Sequence, residues 1–201
     1  MVGVKWMEKD EEVKVGDITV QYDGEALLLD YWIELAMVVK AAAIVGENII
    51  AIDDVHVTVI DPKKAADYAK SEGESVLDTD DLREAGALVM MKGHPRSIES
   101  TVRVGWNEKA GVVAVVEPEK PVASGLVISD NDRYIVTKYR VTEDGEGLTE
   151  VCKKTIELRP LTRMKVEVDD SGAVAVETYT TVLDAETDYE YDVMRERVEV
   201  C

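Results

Sequence analysis

The chain has 201 residues, and its 42 Asp and Glu against 23 Lys and Arg leave a formal charge of −19. That excess repels phosphate backbones and anionic bilayers, which argues against nucleic-acid or peripheral membrane binding. With 46% apolar residues there is material for a substantial core, which argues against disorder.

Amide side chains are scarce: Gln21 is the sole Gln, and Asn48, Asn107 and Asn131 are the only Asn. Few labile amides among many charges suggest adaptation to heat or salt, and either would account for the acidity without a partner. Phe is absent. Cys152 and Cys201 are too few for a disulfide framework, so a reduced cytoplasm is expected. The N-terminal stretch lacks a long apolar segment and turns acidic by Glu8, unlike a secretory leader.

Residues 13–22 alternate as a strand, with a phase break at Gly16 that predicts a bulge or tight turn. Asp23-Gly24 is a turn signal. Residues 26–45, ALLLDYWIELAMVVKAAAIV, carry only Asp30, Glu34 and Lys40 as charges. An acid near a bilayer centre costs about 2.5–3.5 kcal/mol, so a buried helix is predicted rather than a membrane span. On that helix Asp30 and Glu34 share a face, with Lys40 about 80° away, and Gly46 ends it.

Residues 49–60 read as one strand, with Val55, Val57 and Val59 opposite His56 and Thr58. Asp61-Pro62 opens a helix that Gly73 closes. Asp78 or Thr79 caps a further helix running to Lys92, before Gly93. From residue 101 the pattern changes to β-type runs at 101–106, 112–116, 125–129, 133–142, 148–158, 163–168, 173–183 and 189–200, separated by turn chemistry. The expected fold is α+β, with helices mainly in the N-terminal half and an antiparallel β meander, sandwich or barrel-like, in the C-terminal half. One domain over 1–201 is expected, with a subdivision into a mixed part, 1–117, and a β part, 122–201, at the linker-like PEKP of 118–121.

Three sets of residues could carry chemistry. The first is the basic pairs Lys138 with Arg140, Arg163 with Lys165, and Arg195 with Arg197. Spacing by two places each pair on one strand face, where fixed cations could grip a polyphosphate and its metal. The plainer account is an outer sheet face exchanging cross-strand ion pairs. The second is the KGHPRS loop, where Lys92, His94, Arg96 and Ser97 follow an expected helix end and could cradle a carboxylate or phosphate. Ordinary helix capping explains them as well. The third is acidic: Asp53-Asp54, Asp130 and Asp132, and the ladder Asp184, Glu186, Asp188, Glu190 and Asp192. The ladder reads most simply as a charged edge strand guarded against aggregation.

His56 and His94 are the only histidines, and neither has a metal-ligand partner at short spacing, so structural zinc is not expected. Lys154 shares a face with Cys152 and is expected to reach out to the sheet edge. No nucleophile elbow, Walker loop or dinucleotide fingerprint is present.

The leading expectation is a non-catalytic, self-associating structural or binding protein of a thermophilic or salt-adapted cytoplasm, needing no cofactor. It would use the apolar 27–45 helix, with Leu28, Trp32 and Leu35, and a sheet edge as contact surfaces. The alternative is a metal-assisted enzyme or binder of a small phosphorylated ligand, held by the basic residues with Mg²⁺ or another divalent cation. A third class is an assembly subunit of a virus or cellular shell.

Overall fold

The computed structural model describes residues 3–97, 101–120, 133–158 and 163–201. The chain divides into two compact units: Met1–Asp53, Val57–Lys92 and Val141–Thr149 form the first, and Asp54–His56, Gly93–Arg140 and Glu150–Cys201 the second. Both are built mainly of β-strands. The expected α+β layout is therefore wrong: among the described residues there are two short helices against seventeen strands in four sheets.

The largest correction falls on residues 26–45. After β1 (Val4–Trp6), β2 (Glu11–Val15) and β3 (Ile18–Tyr22), the chain forms β4 (Leu27–Leu29), β5 (Ile33–Leu35) and β6 (Ala41–Val45) in place of the expected helix. Leu27 and Leu29 are buried with Leu28 half-out, and Ile33 and Leu35 are buried with Glu34 exposed. This period-two burial hides in a run too short to display it. All five residues of β6 are buried, so no alternation exists to be read there.

The expected 49–60 strand is two, β7 (Asn48–Ile52) and β8 (His56–Ile60), antiparallel across a turn at Asp53-Asp54-Val55. Burial of β8 on both faces, His56 and Thr58 included, removed the signal that would have separated them. The phase break at Gly16 is the β2–β3 hairpin turn, where Val15 pairs with Ile18.

Helix α1 (Pro62–Glu72) follows expectation. The Asp61 side chain accepts from the amides of Lys63 and Lys64, and Gly73, at φ 68°, closes the last turn. The strand β9 (Val76–Leu77) runs parallel to β5. Helix α2 (Thr79–Glu84) has a capping box between Asp78 and Asp81 but stops early. Gly86 turns left-handed at φ 67°, and the expected helical residues beyond it form β10 (Leu88–Gly93).

In the first unit these elements make two five-stranded sheets, ordered β1-β6-β7-β8-β10 and β2-β3-β4-β5-β9. Their shared core includes Val20, Leu27, Leu29, Ile33, Leu35, Ile49 and Ile60, with Ala65, Ala66 and Ala69 of α1 and Leu82 of α2 packed into it. Tyr22 donates its buried hydroxyl to the Val39 carbonyl at 2.9 Å, satisfying a chain segment that lies outside either sheet.

The second unit holds β11 (Arg103–Asn107), β12 (Val112–Pro118), β13 (Arg133–Val141) and β14 (Leu148–Glu157) in one sheet, and β15 (Arg163–Val168), β16 (Val174–Leu183) and β17 (Glu190–Val200) in another. These strands lie within two residues of the sequence-derived runs at both ends. The run at 125–129 lies outside the described residues. Val112, Ala114 and Val116 of β12 and Val136 of β13 meet Met164, Val166, Val174 and Val176 in a common core.

One covalent link contradicts expectation. Cys152 on β14 and Cys201, just past β17, form a disulfide, with their Cα atoms 6.0 Å apart. Forty-nine residues separate them in sequence, and only the packing of the two sheets brings them together. Among the described residues no helix is long and apolar enough to cross a membrane.

Candidate functional site

The most unusual backbone in the first unit is the three-residue turn, Asp30 to Trp32, between β4 and β5. Asp30 and Tyr31 take φ of 50° and 70°, the pattern of a type I′ hairpin turn, which normally selects Asn and Gly. A tyrosine in this left-handed region is strained and persists only where its surroundings over-determine it.

The surroundings are visible. Asp30 accepts from the Thr19 amide at 3.0 Å through Oδ1 and from Lys70 Nζ at 3.0 Å through Oδ2, while its own amide donates to the Thr19 carbonyl. Partial burial works against the Asp30 carboxylate, but the Thr19 amide and Lys70 outweigh it and hold the pKa below the ordinary value. The neighbouring Glu12 carboxylate pushes the Tyr31 phenol above its ordinary pKa.

The result is a pair of adjacent exposed aromatics at a fixed turn: Tyr31 is 62% exposed and Trp32 44%. Trp32 precedes buried Ile33 and shares the outward face of β5 with exposed Glu34. The register places Leu28 and Val76 beside Glu34 on that same face. Val76 is exposed and Leu28 half-buried, so two apolar side chains flank Glu34 on the outer side of this sheet. Of the expected contact residues, Leu28 and Trp32 are thus at the surface, while Leu35 belongs to the core.

The basic pairs lie in the second unit and do not act as one group. Lys138 and Arg140 are on β13, in a different sheet from the other four. Lys138 Nζ donates to the Cys201 carbonyl at 3.1 Å, and Arg140 is exposed. Arg163 forms an ion pair with Asp192, and Arg195 Nε donates to Thr180 Oγ1 at 3.0 Å. Arg197 bridges Glu167, at 2.9 Å, and the largely buried Glu177, which also accepts from the Tyr179 hydroxyl. The Arg197 guanidinium holds the Glu167 carboxyl below its ordinary pKa.

Exposed Arg163 and Lys165 alternate with buried Met164 and Val166, and Lys165 pairs through Glu177 with Arg197 across the sheet. Arg163 and Arg197 exchange cross-strand ion pairs with acids on this outer face. A cleft of about 360 Å³ opens at its end, and of the six cations Arg197 lines it, together with Glu167, Asp169, Glu199 and Cys201.

The KGHPRS residues follow a strand rather than a helix, because Lys92 and Gly93 complete β10. His94 donates its amide to the Val55 carbonyl at 3.0 Å, and its Nδ1 accepts from the Arg96 amide at 3.1 Å. Ser97 shares a 2.6 Å hydrogen bond with Thr101 Oγ1. These bonds use the His94 ring, the Arg96 amide and the Ser97 hydroxyl to hold the turn.

The acids are dispersed as well. Asp54 pairs with Arg103 at 3.6 Å. Asp130 and Asp132 lie outside the described residues. Of the 184–192 ladder only Glu190 and Asp192 are in a strand, and the other three shape the hairpin loop before it. Among the described residues no group of three or more His, Cys, Asp or Glu is arranged to hold a metal ion. Lys154 is exposed, as expected.

Tyr31 is not among the residues expected from sequence to carry function. The signal was available in LLLDYWIEL, where an acid and an aromatic interrupt two short alternating runs. Compared with protein-family models, with curated proteins and with solved structures, the chain matches none.

Proposed function

We propose that this is a non-catalytic protein that self-associates through the outer face of the β2-β3-β4-β5-β9 sheet. The observation that carries the reading is the strained Asp30-Tyr31 turn, which holds Tyr31 and Trp32 out in solvent. Rigid aromatic anchors beside Leu28 and Val76 supply contact area at low entropic cost. The surrounding charges are mixed, with Lys14 and Lys70 near Asp30 and with Glu12 and Glu34 on the same sheet, so two copies can meet here despite the overall charge.

The setting we infer is the cytoplasm of a thermophile. Disulfides persist inside hyperthermophile cells as they do in oxidising compartments, which reconciles the Cys152–Cys201 bond with a chain poor in amides. The phosphorylated-ligand reading gains no support from the geometry, since Arg163, Arg195 and Arg197 all have partners on their own sheet.

Light scattering coupled to size exclusion tests the reading. A defined oligomer that persists at high salt is expected, and Trp32→Glu should convert it to the monomer mass while circular dichroism stays unchanged. A wild-type monomer across concentration, or an oligomer indifferent to Trp32→Glu, would overturn it.

A further inference from the structure

The tip of the β16–β17 hairpin concentrates exposed apolar surface. Leu183 is 60% exposed, Tyr189 75%, Tyr191 51% and Met194 52%. The register sets Tyr191 on one face of the hairpin and Leu183 and Met194, with Glu190, on the other, so apolar surface is exposed on both faces. The tip is also well defined: the Asp184 amide donates to the Tyr189 carbonyl and the Asp188 amide to the Asp184 carbonyl, both at 2.9 Å.

Between Thr181 and Asp192 there are five acids and no Lys or Arg. Asp192 is engaged by Arg163 and Thr181, but among the described residues no cation pairs with Glu186, Asp188 or Glu190. Guarding an edge strand explains acids. It does not explain two tyrosines alternating with them in the sequence Asp188-Tyr189-Glu190-Tyr191-Asp192. Aromatic faces attract guanidinium and ammonium groups, and carboxylates on the opposite face of the same strand attract them as well.

We propose that an extended Lys/Arg-rich polypeptide segment docks along β17, the terminal strand of the β15-β16-β17 sheet. Added as a further strand, it would send alternate side chains to the two faces of the hairpin. Those on one face would meet Tyr189 and Tyr191, and those on the other Glu190. A second copy of this chain is a poor occupant, because like charges would face each other at the tip. The inference is independent of the Trp32 surface, which lies in the other unit.

The test is fluorescence anisotropy of a labelled nona-arginine peptide at physiological ionic strength. Wild type should bind it, and Tyr189→Ser with Tyr191→Ser, which leaves the net charge unchanged, should weaken binding by about tenfold. Asp188→Asn with Glu190→Gln should weaken it by a similar factor. Circular dichroism and an unchanged solution mass confirm that both variants fold.

No binding by wild type would overturn the proposal. So would a tyrosine variant that binds as wild type does, since the peptide would then be sensing net charge alone. A wild-type oligomer that the tyrosine variant dissolves would assign the tip to a second copy and overturn it as well.

Discussion

Gly105 sits between Val104 and Trp106 in a strand, where glycine ordinarily weakens a sheet. The reason lies across the sandwich: a Cβ at this position would stand 2.5 Å from the Val166 carbonyl oxygen on β15. Here the two sheets approach too closely for any side chain. Gly105→Ala should lower stability by about 1–3 kcal/mol, the usual cost of overpacking, measured as a shift of the urea midpoint at constant slope. Gly93 has a comparable constraint, with φ of 79° and a Cβ position 2.3 Å from the Val55 carbonyl oxygen. Neither reason is legible in the sequence, because the obstructing atom belongs to a residue far along the chain. The caps are the opposite case. Asp61 and Asp78 were readable as helix starts because the groups they satisfy are two or three residues away.

Strands were legible where one face is wet and the other dry. Residues 163–168 alternate exposed and buried without a break, and the expected bounds coincide with those of β15. Where both faces are buried, as in β6 and β8, period two vanishes and an apolar run can be taken for a helix or for one long strand. The β4–β5 hairpin failed for another reason. Its strands are three residues each, and its turn uses Asp30 and Tyr31 in place of Asn and Gly. That substitution costs conformational energy, about 1–2 kcal/mol for a side chain in the left-handed region. Tyr31→Gly should therefore raise stability by up to about 1 kcal/mol in thermal unfolding, after the entropy of glycine is subtracted, and at the same time weaken the self-association seen by light scattering. A variant both less stable and equally oligomeric would remove the strained turn from the argument for function.

At the scale of the molecule the Cys152–Cys201 bond joins β14 to the residue after β17 and so ties the two sheets of the second unit together. A closed loop of this size is worth about 4 kcal/mol in the chain-entropy account, with about 2–4 kcal/mol usual in practice. Reduction, or Cys152→Ser with Cys201→Ser, should lower the stability of this unit by that amount, read from thermal unfolding with and without reductant. Intact-mass measurement before and after thiol alkylation checks that the bond is present in the isolated protein.

The sequence by itself determined the charge and what it repels, the bounds of the amphipathic strands after residue 101, and the capped start of each helix. All of these depend on composition or on neighbours within a few residues. Tertiary structure alone decided that 26–45 contributes three strands, that the cysteines meet, that Arg163 and Arg197 pair with acids, and that Trp32 and Tyr191 face solvent. Each of those depends on which surfaces bury one another, and burial joins residues whose distance along the chain carries no information about their distance in space.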